Sequence, residues 1–462
     1  MIGIKEIAAL VLVLTMTGCK VGPNYKRPAV VTPVQYRGIA PDLPVQSGAQ
    51  PFAEMQWDTV FQDETLKALI KEALTNNYNM QIAASRILQA QAVVGETRAN
   101  QLPNLSGAGG VNYERNAFAL NGPTYDSLSI QLNYIVDFWG KFRRATEAAR
   151  AQLLATTYAR SVVQITLISD VATAYFQLRQ FDYQLDFSQK NVVDNKDVVR
   201  INTIRFKGGE SAITDVYQAD LLLQQAEAQY ILSVQAIAQA ENQLSILLGR
   251  NPGPIARGLS LVDQPHLAAP PTGLPSALLK RRPDVQQSEA TLITANANVG
   301  VAKAAFFPQI SLTGVFGAQS TALTSFLQGP ATVWSLGGEV LQPLYAGGAI
   351  TSAYKLAWAQ RTEAELNYKQ TVQNAFGDVA NSLVGYNQAR LFRMEIEEQT
   401  NTYRETSRLA SVRYKQGATS FLEVLVTQQQ YFTSEVLLAQ AWNAEMQNYV
   451  QLYQALGGGW QP

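Results

Sequence analysis

One short segment occurs twice in this chain and constrains the fold more than any other feature. The first copy spans 205–217 (RFKGGESAITDVY) and the second spans 413–425 (RYKQGATSFLEVL). Each begins with Arg, an aromatic residue and Lys, and each has glycine at its fifth position, Gly209 or Gly417. Glycine there fits the left-handed residue that ends a helix. Each copy is therefore predicted to be a tight turn between two long antiparallel helices.

The residues after each glycine favour the same interpretation. Ser211 in the first copy, and Thr419 or Ser420 in the second, fit the N-cap of the following helix. An acidic residue follows at matching places, Asp215 and Glu423. A single helix hairpin would mean little because helix hairpins are common. Two copies at a fixed distance indicate an internal repeat.

Other landmarks recur at the same offset of roughly 205 to 208 residues, as a duplicated sequence requires. The segment 102–105 (LPNL), for example, matches 307–310 (FPQI). Both halves run in the order helix, proline, strand pair, glycine, very long helix, turn and long helix. We therefore predict one architecture built from two structural repeats, 57–262 and 263–462, rather than several independent domains.

Composition excludes several classes of function. Lys plus Arg and Asp plus Glu both number 36, so the net charge is zero and no nucleic-acid partner is expected. The single Cys and single His exclude a disulfide within the chain and disfavour a Cys/His metal site. His266 lies in a proline-containing connection and is interpreted as a surface loop residue. No nucleophile elbow, phosphate-binding loop or metal cluster is found in the sequence, so we predict no enzyme activity, no cofactor and no metal.

The N-terminus has the pattern of an export signal. Lys5 precedes an apolar core at 7–16, which is too short to span a bilayer as a retained helix. Small residues then precede Cys19, as at the cleavage site of a bacterial lipoprotein. We predict a lipoprotein signal peptide at 1–18, acylation of Cys19, and an extended proline-rich strap over 19–56. The alternative is an ordinary signal peptide that happens to contain Cys.

Two stretches, at about 104–138 and 309–345, alternate between apolar and polar residues with the period of a strand pair. The clearest strand has one apolar face, formed by Leu128, Ile130, Leu132, Tyr134, Val136 and Phe138. About ten residues of this kind suit a tilted membrane strand with lipid on one side and water on the other. The competing interpretation is a half-buried strand of a soluble sandwich, but four strands cannot build a sandwich core.

Four strands also cannot close a barrel, and an open sheet edge in lipid leaves backbone groups without partners. Closure therefore requires more than one chain. Two chains give eight strands and little lumen, whereas three give twelve strands and a channel.

Each strand pair leads into a long helix hairpin, predicted at 140–249 and 348–456. The first helix of each runs about 65 residues without proline, close to 100 Å. The returning helix of the first hairpin carries a heptad seam, Leu223, Ala226, Tyr230, Ser233, Ile237, Ala240, Leu244 and Leu247. In the second hairpin the seam is less regular, with Glu445 and Asn448 at matching places. The remaining polar faces are either solvated or line an internal aqueous duct.

Together these features resemble the outer membrane factor family, the TolC-like exit ducts, and especially the lipoprotein branch that serves resistance-nodulation-division pumps. The most specific matches are the lipoprotein site at Cys19, the segment 21–28 (VGPNYKRP), the dipeptide 307–308 (FP), and the turn 413–417 (RYKQG). The resemblance spans the whole chain.

The resemblance implies a mixed α/β membrane protein. Four strands per chain would contribute to a trimeric twelve-stranded transmembrane β-barrel, continued by a long periplasmic α-helical barrel. It implies a lipid-anchored protein of the outer membrane, a homotrimer, that contacts outer membrane lipid. It also implies two protein partners, a periplasmic adaptor of the membrane fusion type and an inner membrane resistance-nodulation-division pump.

The resemblance further implies a periplasmic gate at the hairpin tips. Leu422 matches the place of a hydrophobic gate residue. Arg413 and Tyr414 are expected to hold the closed tips through hydrogen bonds to neighbouring acids, with Glu423 and Asp215 as candidates. The alternative for Leu422 is a buried residue that packs the hairpin.

Adaptor docking is expected at the tips, at Arg205, Phe206, Gly209 and Gly417. The sequence departs from the family at Val426, where an acidic residue is usual, so a carboxylate ring at that level is not carried over.

Three functions remain open from the residues. The first is passive conduction of small molecules such as drugs. The second is the same duct serving a type I protein or peptide secretion system. The third, a structural lipoprotein without a pore, is disfavoured by the polar faces of the strands.

Overall fold

The computed structural model describes residues 19–37, 51–113, 124–265, 271, 275–321, 323–326 and 328–460. The predicted signal peptide and His266 lie outside these residues. The helices are α1 (Trp57–Val60), α2 (Glu64–Asn76), α3 (Tyr78–Ala99), α4 (Lys141–Lys207), α5 (Ile213–Leu247), α6 (Pro275–Arg281), α7 (Pro283–Ala304), α8 (Ala349–Lys415) and α9 (Phe421–Ala455). The strands are β1 (Asn104–Tyr113), β2 (Thr124–Val136), β3 (Gln309–Ser320) and β4 (Thr332–Leu341).

The four strands form one antiparallel sheet in the order β1-β2-β3-β4. Its register places apolar residues opposite one another across the sheet: Ile130 faces Phe316, and Phe316 faces Trp334. Because side chains alternate along a strand, these pairs build one continuous apolar face, and Trp334 on it is 71% exposed. The opposite face is polar, as the pairs Gln131–Ser106 and Asn133–Thr313 illustrate. Among the described residues of the chain, β1 and β4 each pair on one side only.

The first long helix of each hairpin, α4 or α8, has 67 residues, and each returning helix, α5 or α9, has 35. The start of α4 is fixed by Asp137, whose carboxylate accepts hydrogen bonds from the backbone N–H groups of Phe142 (3.0 Å) and Arg143 (2.9 Å). These bonds satisfy donors that a helix N-terminus leaves free. Among the described residues, no helix combines the length and apolar character that a bilayer crossing requires.

The predicted seam of α5 is partly correct. Four of its members are buried, Ala226, Ser233, Ala240 and Leu244, whereas Tyr230 is exposed. The buried face of α5 also extends about one turn towards the hairpin tip, to Leu222 and Ala219. In α9 the polar place at Glu445 is filled by a buried carboxylate that accepts from Nε of Arg393 (2.8 Å). A buried charge is tolerated there because it is paired.

The described chain forms two compact units. One contains the described residues of the ranges 1–30, 85–157 and 287–370, and the other contains those of 31–84, 158–286 and 371–462. Each unit draws on both halves of the sequence, so the units do not coincide with the two predicted repeats. The reason in the first unit is the pairing of β2 with β3, which joins a strand from each repeat.

Candidate functional site

The two hairpin turns end their first helices in the same way. Gly209 has φ +77° and Gly417 has φ +74°, both in the left-handed region that glycine favours. The N–H after Gly209 donates to the carbonyl of Arg205 (2.8 Å), and the N–H after Gly417 donates to that of Arg413 (2.9 Å). These are the bonds of a Schellman motif. A β-carbon at either glycine would meet no atom within 4 Å, so backbone conformation, not space, requires glycine.

The returning helices start differently from the prediction at one of the two turns. The N-cap of α5 is Ala212, not Ser211, because Ala212 is the last extended residue before the helix. The hydroxyl of Ser211 is buried and has no hydrogen-bond partner among the described residues. The N-cap of α9 is Ser420, one of the two predicted residues, although its side chain forms no capping bond. Thr419 lies just outside that helix.

Tyr414 joins the two hairpins. It is 7% exposed, and its hydroxyl donates to Oδ1 of Asn202 on the first hairpin (2.5 Å). Arg205 donates from Nη1 to the carbonyl of Tyr414 (2.9 Å), and its guanidinium lies 4.6 Å from the ring centroid. Burial raises the pKa of Tyr414, so the phenol remains a donor at neutral pH. The expectation that Tyr414 bonds a neighbouring acid such as Glu423 is therefore wrong, since its partner is an amide.

Arg413 makes the predicted contact with Glu423. Its Nη1 donates to Oε1 of that carboxylate (2.9 Å), and Thr419 donates to the other oxygen. Both members of the ion pair are more than one third exposed, so the pair stabilises the tip by only ~0.2–1 kcal/mol. Asp215 forms no side-chain hydrogen bond or ion pair with a described residue, but its charge acts on Tyr414.

Leu422 and its neighbour Phe421 have different environments. Leu422 is 57% exposed, whereas Phe421 is 2% exposed and packs against Tyr414, with ring centroids 5.3 Å apart. Phe421 belongs to a buried cluster with Ala219, Leu222, Ala410, Tyr414 and Val424. Within the chain, the alternative that Leu422 packs the hairpin is therefore wrong, because Phe421 has that place. Sequence reasoning missed Phe421, although an aromatic residue at the first helical position was a visible signal.

The residues predicted for adaptor docking separate into two groups. Phe206, Gly209 and Gly417 are exposed at the turns. Arg205 is only half-buried and is engaged with Tyr414. Exposed apolar side chains surround the first turn, namely Ile204, Phe206, Ile213 and Tyr217.

A second polar cluster, which the sequence did not reveal, lines a groove of about 850 Å³ between α4 and the second hairpin. Glu435, 2% exposed, accepts from the hydroxyl of Tyr183 (2.7 Å) and from Nη2 of Arg404 (2.9 Å). Burial and the bond to Glu435 raise the pKa of Tyr183 well above its usual value. The cluster connects α4 to α9 through hydrogen bonds at a level further from the tips than Tyr414. Among the described residues, no group of three or more His, Cys, Asp or Glu could hold a metal ion.

Cys19 is exposed at the beginning of the described chain, and its thiol is free. The first part of the strap, 19–30, belongs to the same compact unit as the sheet. The N–H of Val21 donates to the carbonyl of Trp139 (3.1 Å), just beyond the end of β2. The predicted lipidation residue therefore lies two residues from a contact with the end of the sheet.

One amphipathic four-stranded sheet continued by two very long helix hairpins defines a class of protein, the subunit of an outer membrane channel. The chain belongs to the outer membrane efflux protein family, whose model matches residues 69–250 and 274–458. Its fold is that of the family's trimeric channels, in which four strands per chain contribute to a twelve-stranded β-barrel and the helices form a helical barrel. It is an outer membrane exit duct of tripartite efflux, with a periplasmic helical extension, and not an enzyme.

Known relatives match nearly the whole chain. It is 31% identical over 457 residues to the cation efflux system protein CusC of Escherichia coli O6:H1 strain CFT073, covering 97% of each chain. It is 32% identical over 467 residues to the solvent efflux pump outer membrane protein SrpC of Pseudomonas putida, again covering 97% of each. The crystal structure of the open state of the Neisseria gonorrhoeae MtrE outer membrane channel superposes with a TM-score of 0.87 at 27% identity, covering 96% of this chain and 99% of that one.

Proposed function

We propose that this chain forms a homotrimeric, lipid-anchored duct that conducts small molecules, drugs among them, out of the cell. The molecules would come from an inner membrane resistance-nodulation-division pump through a periplasmic adaptor. The observation that carries the proposal is that one chain has both an amphipathic sheet and two long hairpins, which the hydrogen bond from Tyr414 to Asn202 joins beside their tips. The sheet supplies membrane strands with open edges, and a trimer removes those edges. The hairpin tips would form the end of the duct that the periplasmic adaptor opens.

The class of cargo is proposed from the relatives. Three relatives of 30% identity or more that match almost the whole chain are named for efflux of cations, of solvents and of toluene. These are small species of unlike chemistry, so selection is expected in the pump rather than in the duct. A secretion duct for proteins or peptides remains the alternative.

The anchor is proposed to be acylated Cys19, released by cleavage after residue 18 and followed by the strap predicted over 19–56, in which Phe52–Glu54 forms a 3-10 helix rather than extended chain. The exposed thiol and the contact of Val21, two residues after Cys19, with Trp139, three residues beyond β2, both support it. Buried acyl chains contribute about 0.8 kcal/mol per methylene, enough for several chains to hold the protein firmly. Mass spectrometry of the mature N-terminus tests this point, and an unmodified Cys19 would contradict it.

The gate is proposed to lie at the tips. In a trimer, three copies of Leu422 would project from the second hairpins, and an apolar ring excludes water and ions by dewetting. The exposure of Leu422 beside the buried Phe421 supports this arrangement. The exposed turn residues, Phe206, Gly209 and Gly417, are proposed as adaptor contacts, together with the adjoining Arg205.

Deletion of the gene tests the cargo and the partners together. We expect the deletion strain to accumulate dyes and to become sensitive to solvents or antibiotics. We also expect the tagged protein, after crosslinking, to retain one adaptor and one pump of the resistance-nodulation-division type. Loss of a secreted protein with unchanged dye accumulation would instead favour the secretion duct.

A further inference from the structure

Arg144, a charged residue near the start of α4, has one of the largest fully buried side chains among the described residues. It is 1% exposed, and a guanidinium so deeply buried is costly unless its donors are used. Nε donates to the carbonyl of Val21 (3.1 Å), and Nη2 donates to the carbonyl of Gly22 (3.2 Å) and to Oδ1 of Asn24 (2.8 Å). Only Nη1 bonds within the helix, to Glu147 (3.1 Å). Arg144 therefore forms most of its hydrogen bonds with the strap rather than with its own helix, α4.

Beside Arg144, the strap backbone lies so close to α7 that a side chain at Gly22 would not fit. Gly22 has φ +96°, and a β-carbon there would lie 2.5 Å from Cα of Gly300 on α7. A β-carbon at Gly300 would in turn lie 2.9 Å from the side chain of Arg144. The two glycines bring the backbones together closely enough for the guanidinium to reach consecutive strap carbonyls.

A second grip lies further along the strap. Nδ2 of Asn296 donates to the carbonyl of Pro23 (2.9 Å). Glu289 accepts from the hydroxyl of Tyr25 (3.0 Å) and from Nε of Arg27 (2.7 Å). Asn296 and Glu289 both lie on α7, so residues 21–27 are held on two sides, by α4 and by α7.

The hydrogen bonds that Arg144, Asn296 and Glu289 form with residues 21–27, together called the clamp, hold the strap at the junction between the sheet and α4. The N–H of Val21 donates to the carbonyl of Trp139, whose ring stacks on Phe307 with centroids 4.6 Å apart. Lys20 pairs with Glu147 on α4. After the proposed cleavage, Cys19 and Lys20 are the residues before Val21, a span of roughly 7 Å for an extended chain.

We propose that Arg144 positions the lipid anchor. By binding two strap carbonyls and Asn24, it holds Cys19 within about two residues of the aromatic pair at the end of β2, so that the acyl chains enter the membrane at the rim of the barrel. The proposed role of Arg144 is to fix the position of the anchor relative to the end of β2. Acylation alone would tie the chain to the membrane through a loose proline-rich tether, whereas the clamped strap ties the anchor to the strand that it accompanies. The inference rests on the proposed acylation of Cys19.

Trypsin can test the clamp because it can cut after Lys20 and Lys26, which both lie within the strap. We expect purified full-length Arg144→Met trimers to release the N-terminal lipopeptide about tenfold faster than wild type, since three bonds from a charged donor are lost and the strap opens locally. Arg144→Lys should give an intermediate rate because an ammonium lacks the planar fork. Arg150→Met is the matched control, an exposed arginine on the same helix. It should match wild type.

Three outcomes decide the proposal. Faster release with unchanged lipid mass on Cys19 supports it. Equal release from Arg144→Met and Arg150→Met overturns it, as does a lower trimer melting temperature without faster release, because Arg144 would then serve packing only. If Arg144→Met yields no trimer, Asn24→Ala, which removes one exposed acceptor, should still release the peptide about threefold faster, and a rate equal to wild type overturns the proposal. Absence of lipid on wild-type Cys19 would refute the proposed acylation separately.

Discussion

The hydroxyl of Tyr414 lies 2.5 Å from Oδ1 of Asn202, so the two hairpins of one chain are bonded to each other beside their tips. Asn202 is almost fully buried, and its Nδ2 is already engaged with the carbonyl of Val198 (2.9 Å). Its Oδ1 therefore depends on the phenol. A bond of this kind joins the two hairpins without adding charge beside their tips.

Tyr414→Phe should favour the open tips. The change leaves a buried acceptor without its donor, at a cost of about 1–3 kcal/mol to the closed arrangement. We expect roughly a tenfold larger open fraction in single-channel recordings, with normal trimer yield. Tyr217→Phe is the matched control, because Tyr217 is 68% exposed near the other tip. Identical recordings from the two variants would show that the phenol does not latch the tips.

Leu422→Ser and Phe421→Ser should have opposite phenotypes. Leu422 is exposed, so its loss should raise conductance and admit large antibiotics while the trimer remains stable. Phe421 is buried against Tyr414, so its loss should destabilise the tip by about 3–5 kcal/mol, as for a large core side chain. Conductance and heat-resistant trimer on gels separate the two effects. A Leu422→Ser trimer that dissociates, with unchanged conductance, would place the gate elsewhere.

Arg413→Met should have a small effect that depends on salt. The pair of Arg413 with Glu423 is exposed, so its loss should change the open fraction by no more than about fivefold at low salt. The difference from wild type should nearly vanish at 1 M salt, where screening reduces such pairs. A larger effect that persists at high salt would mean that the pair is buried in the trimer.

Much of the fold follows from local patterns. Alternation predicts which face of β2 is apolar, because side-chain direction reverses at every residue. Gly209 and Gly417 mark the turns because a left-handed residue strongly favours glycine. The pairing of β2 with β3 is not predictable in this way, since no turn joins those strands.

The site is less predictable because its partners are distant in sequence. Asn202 and Tyr414 are 212 residues apart, and nothing local to either indicates the other. The choice between Phe421 and Leu422 as the packing residue depends on how α9 is rotated against the first hairpin. The N-cap at Ala212 rather than Ser211 reflects a backbone preference that overrides the better capping side chain.

Asp63 should make the periplasmic part sensitive to acid. Burial opposes its ionisation, but bonds from Gln264, Tyr175 and the N–H groups of Leu66 and Thr65 outweigh burial and lower the pKa of Asp63. Because the pKa is lower in the folded chain, the stabilisation is present above the unfolded pKa and is lost as pH falls through the folded pKa.

Asp63→Asn should therefore lower thermal stability most at neutral pH, by about 1–3 kcal/mol, with the difference from wild type narrowing towards acid. Asp58→Asn, at an exposed position nearby, is the control and should change little. Melting curves between neutral and acidic pH measure both. A constant difference across that range would contradict the assignment.

The most direct test of the exit duct is single-channel recording of the purified trimer in planar bilayers. Wild type should insert as a trimer and show small, mostly closed conductance, and Tyr414→Phe/Leu422→Ser should show a much larger, long-lived conductance. Absence of conductance from both proteins despite membrane insertion, or full conductance from a monodisperse monomer, would contradict a trimeric duct that is closed at its tips.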